Sequence, residues 1–254
     1  MPSMTSIRAV IFDLGGTLED IYYDDAVRLE AARGVRALMI ERGLDPGLTA
    51  TELHEAIRSG LGAYQHLRES TNVELPPERV WIEYVFAGRG LPADRLTAAA
   101  EDLMLYYENQ AFKRTLKPEA PMALAALHGA GLRLAMISNI VSRSLVPRNL
   151  EAYGLAHYFN PIVTSVGMGI RKPHPRIFIE TARKMHLPPA ACAYVGDTIS
   201  RDVAGAQRAG YGMTIQIASF LTARSDKETD DERPDVVIKN LNEIRPLIEA
   251  FNRG

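Results

Sequence analysis

Apolar and polar residues follow two rhythms along this chain. Near the N-terminus, Ala9-Val10-Ile11-Phe12 forms an unbroken apolar run that stops at Asp13 and turns through Gly15-Gly16. Such a run is too short and too uniformly apolar for an amphipathic helix, so it reads as a buried strand of a parallel sheet. From Asp20 to about Ala111 the rhythm becomes helical, and no stretch reads as a strand. Val27, Ala31, Val35 and Leu38 mark one stripe, and Leu53, Ile57, Leu61 and Tyr64 a second. Val80, Trp81, Tyr84 and Val85, opened by Pro76-Pro77-Glu78, mark a third, and Leu96, Leu103, Tyr106 and Tyr107 a fourth. These spacings put each set on one helix face. Glycine- and proline-rich breaks at 43–47 and 88–92 separate the helices. Helices joined by short turns can bury a core of their own as a small bundle.

From about Pro118 the chain alternates strand and helix. Strands are expected at 132–137, 161–164, 191–195, 213–217 and 235–238, and helices at 122–128, 142–153, 173–185, 202–209 and 241–251. The charged stretch Ser225–Arg233 reads as a surface loop. The predicted fold is α/β: a doubly wound, mainly parallel Rossmann-like sheet with an inserted all-helical cap domain. Residues 1–18 and 116–254 would form the α/β core, and residues 19–115 the helical cap. An insertion after the first strand lies over the C-terminal edge of the sheet, where such folds bind ligands and where a lid is useful.

Composition narrows the function. At 254 residues there is room for one large domain or two small ones. A net charge of −2 gives no argument for binding nucleic acid or an anionic membrane, and no apolar stretch is long enough to span a bilayer. The first residues lack the apolar core of a signal peptide, so a cytoplasmic protein is expected. Cys192 is the only cysteine and sits in an apolar run, so it reads as a buried inert thiol. The histidines show no zinc-type spacing. Oligomeric state is not legible.

Strand ends carry the candidate chemistry. Asp13 follows the first strand, Ser138-Asn139 the second, Arg171-Lys172-Pro173 comes soon after the third, and Gly196-Asp197 to Asp202 follows the fourth. Taken singly, each has a plainer reading: a helix cap for Ser138-Asn139, a solvated charge for Lys172, a cap and a first-turn acid for Asp197 and Asp202. Their joint order along one sheet edge is what points to a site. Converging carboxylates favour a hard divalent cation such as Mg2+, and a hydroxyl with a lysine can grip phosphate oxygens. An aspartate beside them can attack phosphorus.

With these residues in place, the chain resembles the haloacid dehalogenase superfamily of hydrolases, in the branch with a helical cap. The resemblance rests on Asp13–Leu18, Ser138, Lys172 and Gly196–Asp202 in order and spacing. Further echoes are Tyr153-Gly154-Leu155, Gly169–Pro173 and Gly205–Gly210. It implies Asp13 as nucleophile, with Lys172 steadying it. It implies a phosphate-binding set of Leu14, Gly15, Ser138, Asn139 and Lys172. It also implies an Mg2+ site made by Asp13, Asp197 and the Gly15 carbonyl, with Asp202 near the ion, directly or through water.

One position departs from the family pattern. Phosphatases of the superfamily usually carry a second aspartate, the general acid, where this chain has Gly15. General acid–base catalysis typically contributes about 10²–10⁴-fold. Glu19 and Asp20 are near enough in sequence to reach back in its place. Phosphonate-cleaving relatives use a cap lysine, and none lies between Asp20 and Phe112, with Lys113 at the edge. Arg28, Arg33 and Arg36 suit a halide, a substrate carboxylate or simply a solvated helix face. Tyr22-Tyr23 would line the cap entrance or pack a hinge. The expected activity is Mg2+-dependent hydrolysis of a small phosphorylated metabolite. The alternatives are a weakly active relative that binds a phosphorylated ligand, and carbon–halogen hydrolysis.

Overall fold

A computed structural model describes residues 6–220, 222, 226 and 232–254. The loop read at Ser225–Arg233 lies outside the described residues except for Asp226, Glu232 and Arg233. The central sheet is parallel and contains β1 (Ala9–Phe12), β4 (Arg133–Ser138), β5 (Phe159–Thr164), β6 (Cys192–Gly196), β7 (Met213–Ile217) and β8 (Val236–Ile238). Its strand order is β5-β4-β1-β6-β7-β8. Every residue of β1 is buried, as its uniform apolarity demands. Helices α5 (Ala120–Gly129), α6 (Leu145–Ala152), α7 (Ser165–Met168), α8 (Pro175–Lys184), α9 (Ala204–Arg208) and α10 (Ile244–Arg253) follow these strands. Val10, Phe12, Leu134 and Met136 point to one apolar core, while Ile11, Ala135, Ile137 and Tyr194 point to another. The alternation of neighbouring residues between these cores is the period of a strand covered on both faces.

The segment after β1 builds a separate core. Helices α1 (Asp25–Glu41), α2 (Ala50–Thr71), α3 (Pro77–Val80) and α4 (Ala93–Gln110) pack around Val35, Leu53, Ile57, Trp81 and Leu103. The third apolar stripe runs from α3 straight into a π-helical turn, Trp81–Val85. That turn seats the buried Trp81, whose indole Nε1 donates to the Ala100 carbonyl at 3.0 Å. Asp24 caps α1, and Thr49 with Glu52 closes a capping box on α2.

One expectation is overturned. The helical stretch does contain strands at its borders: β2 (Glu19–Tyr22) pairs antiparallel with β3 (Lys113–Leu116), Glu19 opposite Leu116 and Tyr22 opposite Lys113. Each has only four residues and carries charge, and β2 buries alternate residues, so neither resembles the apolar core strands. The paired strands carry the chain out to the helices and back.

The helical block also docks on the loop after β4. Glu101 accepts the N–H groups of Arg143 at 3.0 Å and Ser144 at 3.1 Å, and Glu78 accepts both of its contacts from Arg143 at 2.9 Å. A second docking point joins Val73 to Ile170 as an isolated bridge. Among the described residues, no helix is long and apolar enough to cross a membrane.

Candidate active site

Three neighbouring strands, β4, β1 and β6, end at the same edge of the sheet. They deliver Ser138, Asp13 and Asp197 side by side, and the loop after α7 brings Lys172 to them. The turn after Asp13 must pass close to the next strand end. A Cβ on Gly16 would stand 2.4 Å from Asp197 Oδ2, and the residue has φ +90°, so only glycine fits there.

Lys172 holds the centre together. It is 2% exposed, and its Nζ donates to Asp13 Oδ1 at 2.7 Å, Asp202 Oδ1 at 2.6 Å, Tyr194 Oη at 2.9 Å and the Ile137 carbonyl at 3.2 Å. Burial works against its charge, yet Asp13 and Asp202 hold its pKa above the ordinary lysine value. Asp202 Oδ2 accepts the Thr198 hydroxyl at 2.6 Å and its N–H at 3.1 Å. Although burial opposes ionisation, Lys172 and Thr198 keep the Asp202 carboxyl below its usual range. Both oxygens of Asp202 are thus engaged inside the protein.

The other two carboxylates are less well compensated. Burial pushes Asp13 up to about 6 against the pull of Lys172. Burial, followed by repulsion from Asp202 and Asp13, pushes Asp197 up to about 8, although Ser219 Oγ donates to it at 2.6 Å. Asp13, Asp197 and Asp202 each offer an oxygen within 4.8 Å of the others. Hard oxygen donors this close, with one lysine among them, suit a divalent cation that takes oxygen ligands.

The remaining expected residues divide. Leu14, Gly15 and Ser138 line the cavity beside Asp13. Asn139 lines it too, but its amide is spent on the Lys172 backbone. Nδ2 donates to the Lys172 carbonyl at 3.0 Å, and Oδ1 accepts its N–H at 2.9 Å. Its side-chain amide thus positions Lys172. Glu19 does not reach back to the site. It is fully buried and bound to Arg114 Nη1 at 2.7 Å, Tyr153 Oη at 2.9 Å and Asn149 Nδ2 at 3.1 Å. Asp20 pairs with Lys117 at 2.5 Å and is largely exposed. Neither belongs to the cavity wall.

The cavity encloses about 480 Å³ between the sheet edge and the helical block. Tyr23, Arg28, Tyr107, Glu108, Phe112 and Arg114 form part of its far wall. Of the three arginines singled out on the first helix, only Arg28 is there. Arg33 pairs with Glu30 on the surface, and Arg36 Nε donates to the Leu48 carbonyl at 2.6 Å. Glu108 accepts the N–H groups of Val141 at 3.1 Å and Ser142 at 2.7 Å, and burial nevertheless pushes its carboxyl up to about 7. Sequence reasoning missed Glu108, Arg114 and Tyr194. Tyr194 sits in an apolar strand and carries no outward sign that its hydroxyl reaches Lys172.

Comparison with known proteins agrees with this geometry. A model of the haloacid dehalogenase-like hydrolases matches residues 7–210. The chain is 29% identical over 247 residues to a glyceraldehyde 3-phosphate phosphatase of Methanopyrus kandleri, covering 96% of this chain and 98% of that one. It is 32% identical to a phosphoserine phosphatase of Thermus thermophilus over 66% of this chain and 63% of that one. Among solved structures it is similar in fold to a 2-haloacid dehalogenase of Pseudomonas syringae pv. Tomato, with TM-score 0.65 and 24% identity over 96% of this chain and 99% of that one. It is also similar to a HAD phosphatase of Thermococcus onnurineus, with TM-score 0.62 and 21% identity over 95% and 98% of the two chains.

Proposed function

The chain belongs to the haloacid dehalogenase-like hydrolase family, and from that premise we propose that it is a metal-dependent phosphatase of small phosphorylated metabolites. The observation that carries this reading is the aspartate cluster: Asp13, Asp197 and Asp202 within 4.8 Å of one another, with Asp197 pushed up to about 8. Three buried carboxylates are costly unless a cation joins them. A dehalogenase reading uses Asp13, and Asp202 to hold Lys172, but gives Asp197 no task. Asp13, Asp197 and the Gly15 carbonyl would hold Mg2+, with Asp202 acting at one remove because its oxygens are already engaged. When bound, the ion would offset negative charge on the phosphoryl oxygens.

Asp13 is the nucleophile. Its carboxylate attacks phosphorus, the ester oxygen departs, and the resulting aspartyl-phosphate is cleaved by water to release phosphate and restore Asp13. Lys172 keeps Asp13 ionised and aimed, and Asn139 keeps Lys172 in place. Ser138, at the end of β4, is the hydroxyl available to a phosphoryl oxygen. Residues 19–115 act as a cap over the cavity, with residues 1–18 and 116–254 as the catalytic core.

Gly15 leaves the departing oxygen without a proton donor from that position. A Cβ there would meet Ile21 Cδ1 at 2.6 Å and Arg114 Nη1 at 3.6 Å, so an apolar tip and a guanidinium border the space where an acid would project. Esters that leave without protonation should therefore be the better substrates. The test is p-nitrophenyl phosphate. Turnover should require Mg2+, stop with a chelator, and fall by at least about 10³-fold in Asp13→Asn. Turnover that survives either treatment removes the proposal, and metal-independent halide release from 2-chloropropionate would replace it with the dehalogenase reading.

A further inference from the structure

The cavity holds more positive charge than a phosphoryl group needs. Arg28, Arg58, Arg68, Arg114, Arg171 and Arg201 all line it. Some of these are spent within the protein: Arg58 pairs with Glu55 at 2.6 Å, and Arg68 lies over the Tyr64 ring at 5.2 Å. Arg171 Nη1 is ion-paired with Glu74 Oε2 at 3.8 Å. Two are not fully spent: Arg28 Nε and Arg114 Nε are buried and have no hydrogen-bond partner. A buried guanidinium nitrogen left unpaired is unfavourable, and a ligand anion is the natural group to satisfy it.

Both of these arginines approach the same ring. The Arg28 guanidinium lies 5.6 Å from the centre of the Phe112 ring, and the Arg114 guanidinium lies 5.7 Å from it. Arg28 also stacks on Tyr23 at 4.3 Å. The Arg114 side chain is only 10% exposed, and its Nη1 is fixed by Glu19 at 2.7 Å, which leaves Nε for another acceptor. Arg114 borders Gly15, with 3.6 Å between Nη1 and the position a Cβ would take. Gly15 lies two residues after Asp13, and both line the same cavity as Arg28 and Arg114, so these arginines face whatever is attached to the phosphoryl group.

We propose that Arg28 and Arg114 form a second anion subsite, and that the substrates are phosphomonoesters whose leaving fragment carries a further negative group, a carboxylate or a second phosphate. This rests on the phosphatase reading above. The rings of Tyr23 and Phe112, themselves in edge contact at 5.3 Å, both pack against the guanidinium of Arg28 and restrict its rotation, so little order is lost when an anion arrives. Glu19 does the same for Arg114. An anion here also offsets positive charge beside the departing oxygen's fragment, which ties recognition to position.

A matched set of esters tests the subsite: phenyl phosphate, 3-carboxyphenyl phosphate and 1,3-phenylene bisphosphate. The first two leave as phenols of similar basicity, so a difference between them reports binding rather than departure. The charged esters should exceed phenyl phosphate by at least about tenfold in kcat/KM, chiefly through KM. The better of the two charged esters identifies the anion. In Arg28→Gln the ratio should fall toward one, and Arg28→Lys should restore part of it. Equal kcat/KM for charged and uncharged esters in the native enzyme overturns the inference, as does a ratio indifferent to Arg28→Gln. Calorimetric binding to Asp13→Asn reads the same preference without turnover. If none of the esters is hydrolysed but 3-carboxyphenyl phosphate still binds at least about tenfold tighter than phenyl phosphate, the phosphatase reading fails and the subsite stands. Equal binding removes the subsite even where p-nitrophenyl phosphate is hydrolysed.

Discussion

The sheet edge and the helical wall face each other across one cavity, and they use their charges in opposite ways. At the sheet edge, Lys172 is engaged with Asp13, Asp202 and Tyr194 before any ligand arrives. On the wall, Arg28 and Arg114 each keep a buried Nε without a hydrogen-bond partner. The difference separates two requirements. Groups that perform a fixed reaction are held in advance by the protein's own bonds, which removes the cost of arranging them. Groups that select a ligand keep donors in reserve, and the ligand completes them.

The sharpest way to break this contrast is to remove the committed cation. Lys172→Met leaves Asp13 and Asp202 buried without their shared partner. It should cost about 3–5 kcal/mol in stability by urea denaturation. A loss under about 1 kcal/mol would mean that Lys172 is not the linchpin of the sheet edge.

Gly15 lies on the seam between the two regions, so Gly15→Asp probes both. The new carboxylate must displace the Ile21 tip and would then meet Arg114, which keeps it ionised and unable to donate a proton. The rate on a simple alkyl phosphate should rise by less than about tenfold, short of what a working acid supplies. A gain of about 10² or more would show that Arg114 leaves the carboxyl free to act.

Glu108 belongs to the wall but is spent like the sheet-edge groups, on the Val141 and Ser142 N–H groups. Its carboxyl is pushed up to about 7 by burial, above its value in the unfolded chain. The folded protein therefore holds this proton more tightly. Its contribution is full below about pH 4.5 and is lost as pH rises through about 7. Glu108→Gln should flatten the decline in Tm between pH 5 and 8 by about 2 °C or more. Parallel Tm profiles for the two proteins would count against this assignment.

The smallest expected effect is on the reserve side. Arg28→Met removes a guanidinium whose Nε makes no internal hydrogen bond, so stability should stay within about 0.5 kcal/mol of the native protein. A larger loss by urea denaturation would place Arg28 with the committed groups and blur the contrast.

The core was readable in the sequence because parallel strands covered on both faces must be apolar throughout, and the candidate residues sit where those runs stop. That is how Asp13 and Lys172, 159 positions apart, could be joined before any coordinates. The short pair β2 and β3 was not readable. Four residues with alternating burial carry little signal, and their pairing depends on a partner about a hundred residues away. Glu19 was misjudged for a related reason. Its nearness to Gly15 along the chain suggested a catalytic reach, but Arg114, 95 positions later, claims it in the fold. The reciprocal bonds of the Asn139 amide to the Lys172 backbone were not legible, because they depend on a loop 33 positions away. Arg28 falls on a helix face, where sequence alone cannot separate a solvated charge from one turned inward, and Arg114 falls on the short strand β3. Only the burial of particular nitrogens distinguishes Arg28 from Arg33.

The ribbon formed by Glu19–Tyr22 and Lys113–Leu116 has a further consequence. Tyr22 and Lys113 stand opposite one another, so residues 23–112 leave and re-enter through a single doorway. A hairpin turn could close that doorway without moving β1 or Asp13. Strain or substitution within the helices therefore reaches the reacting groups through that ribbon and the two docking points, and not through the backbone of β1.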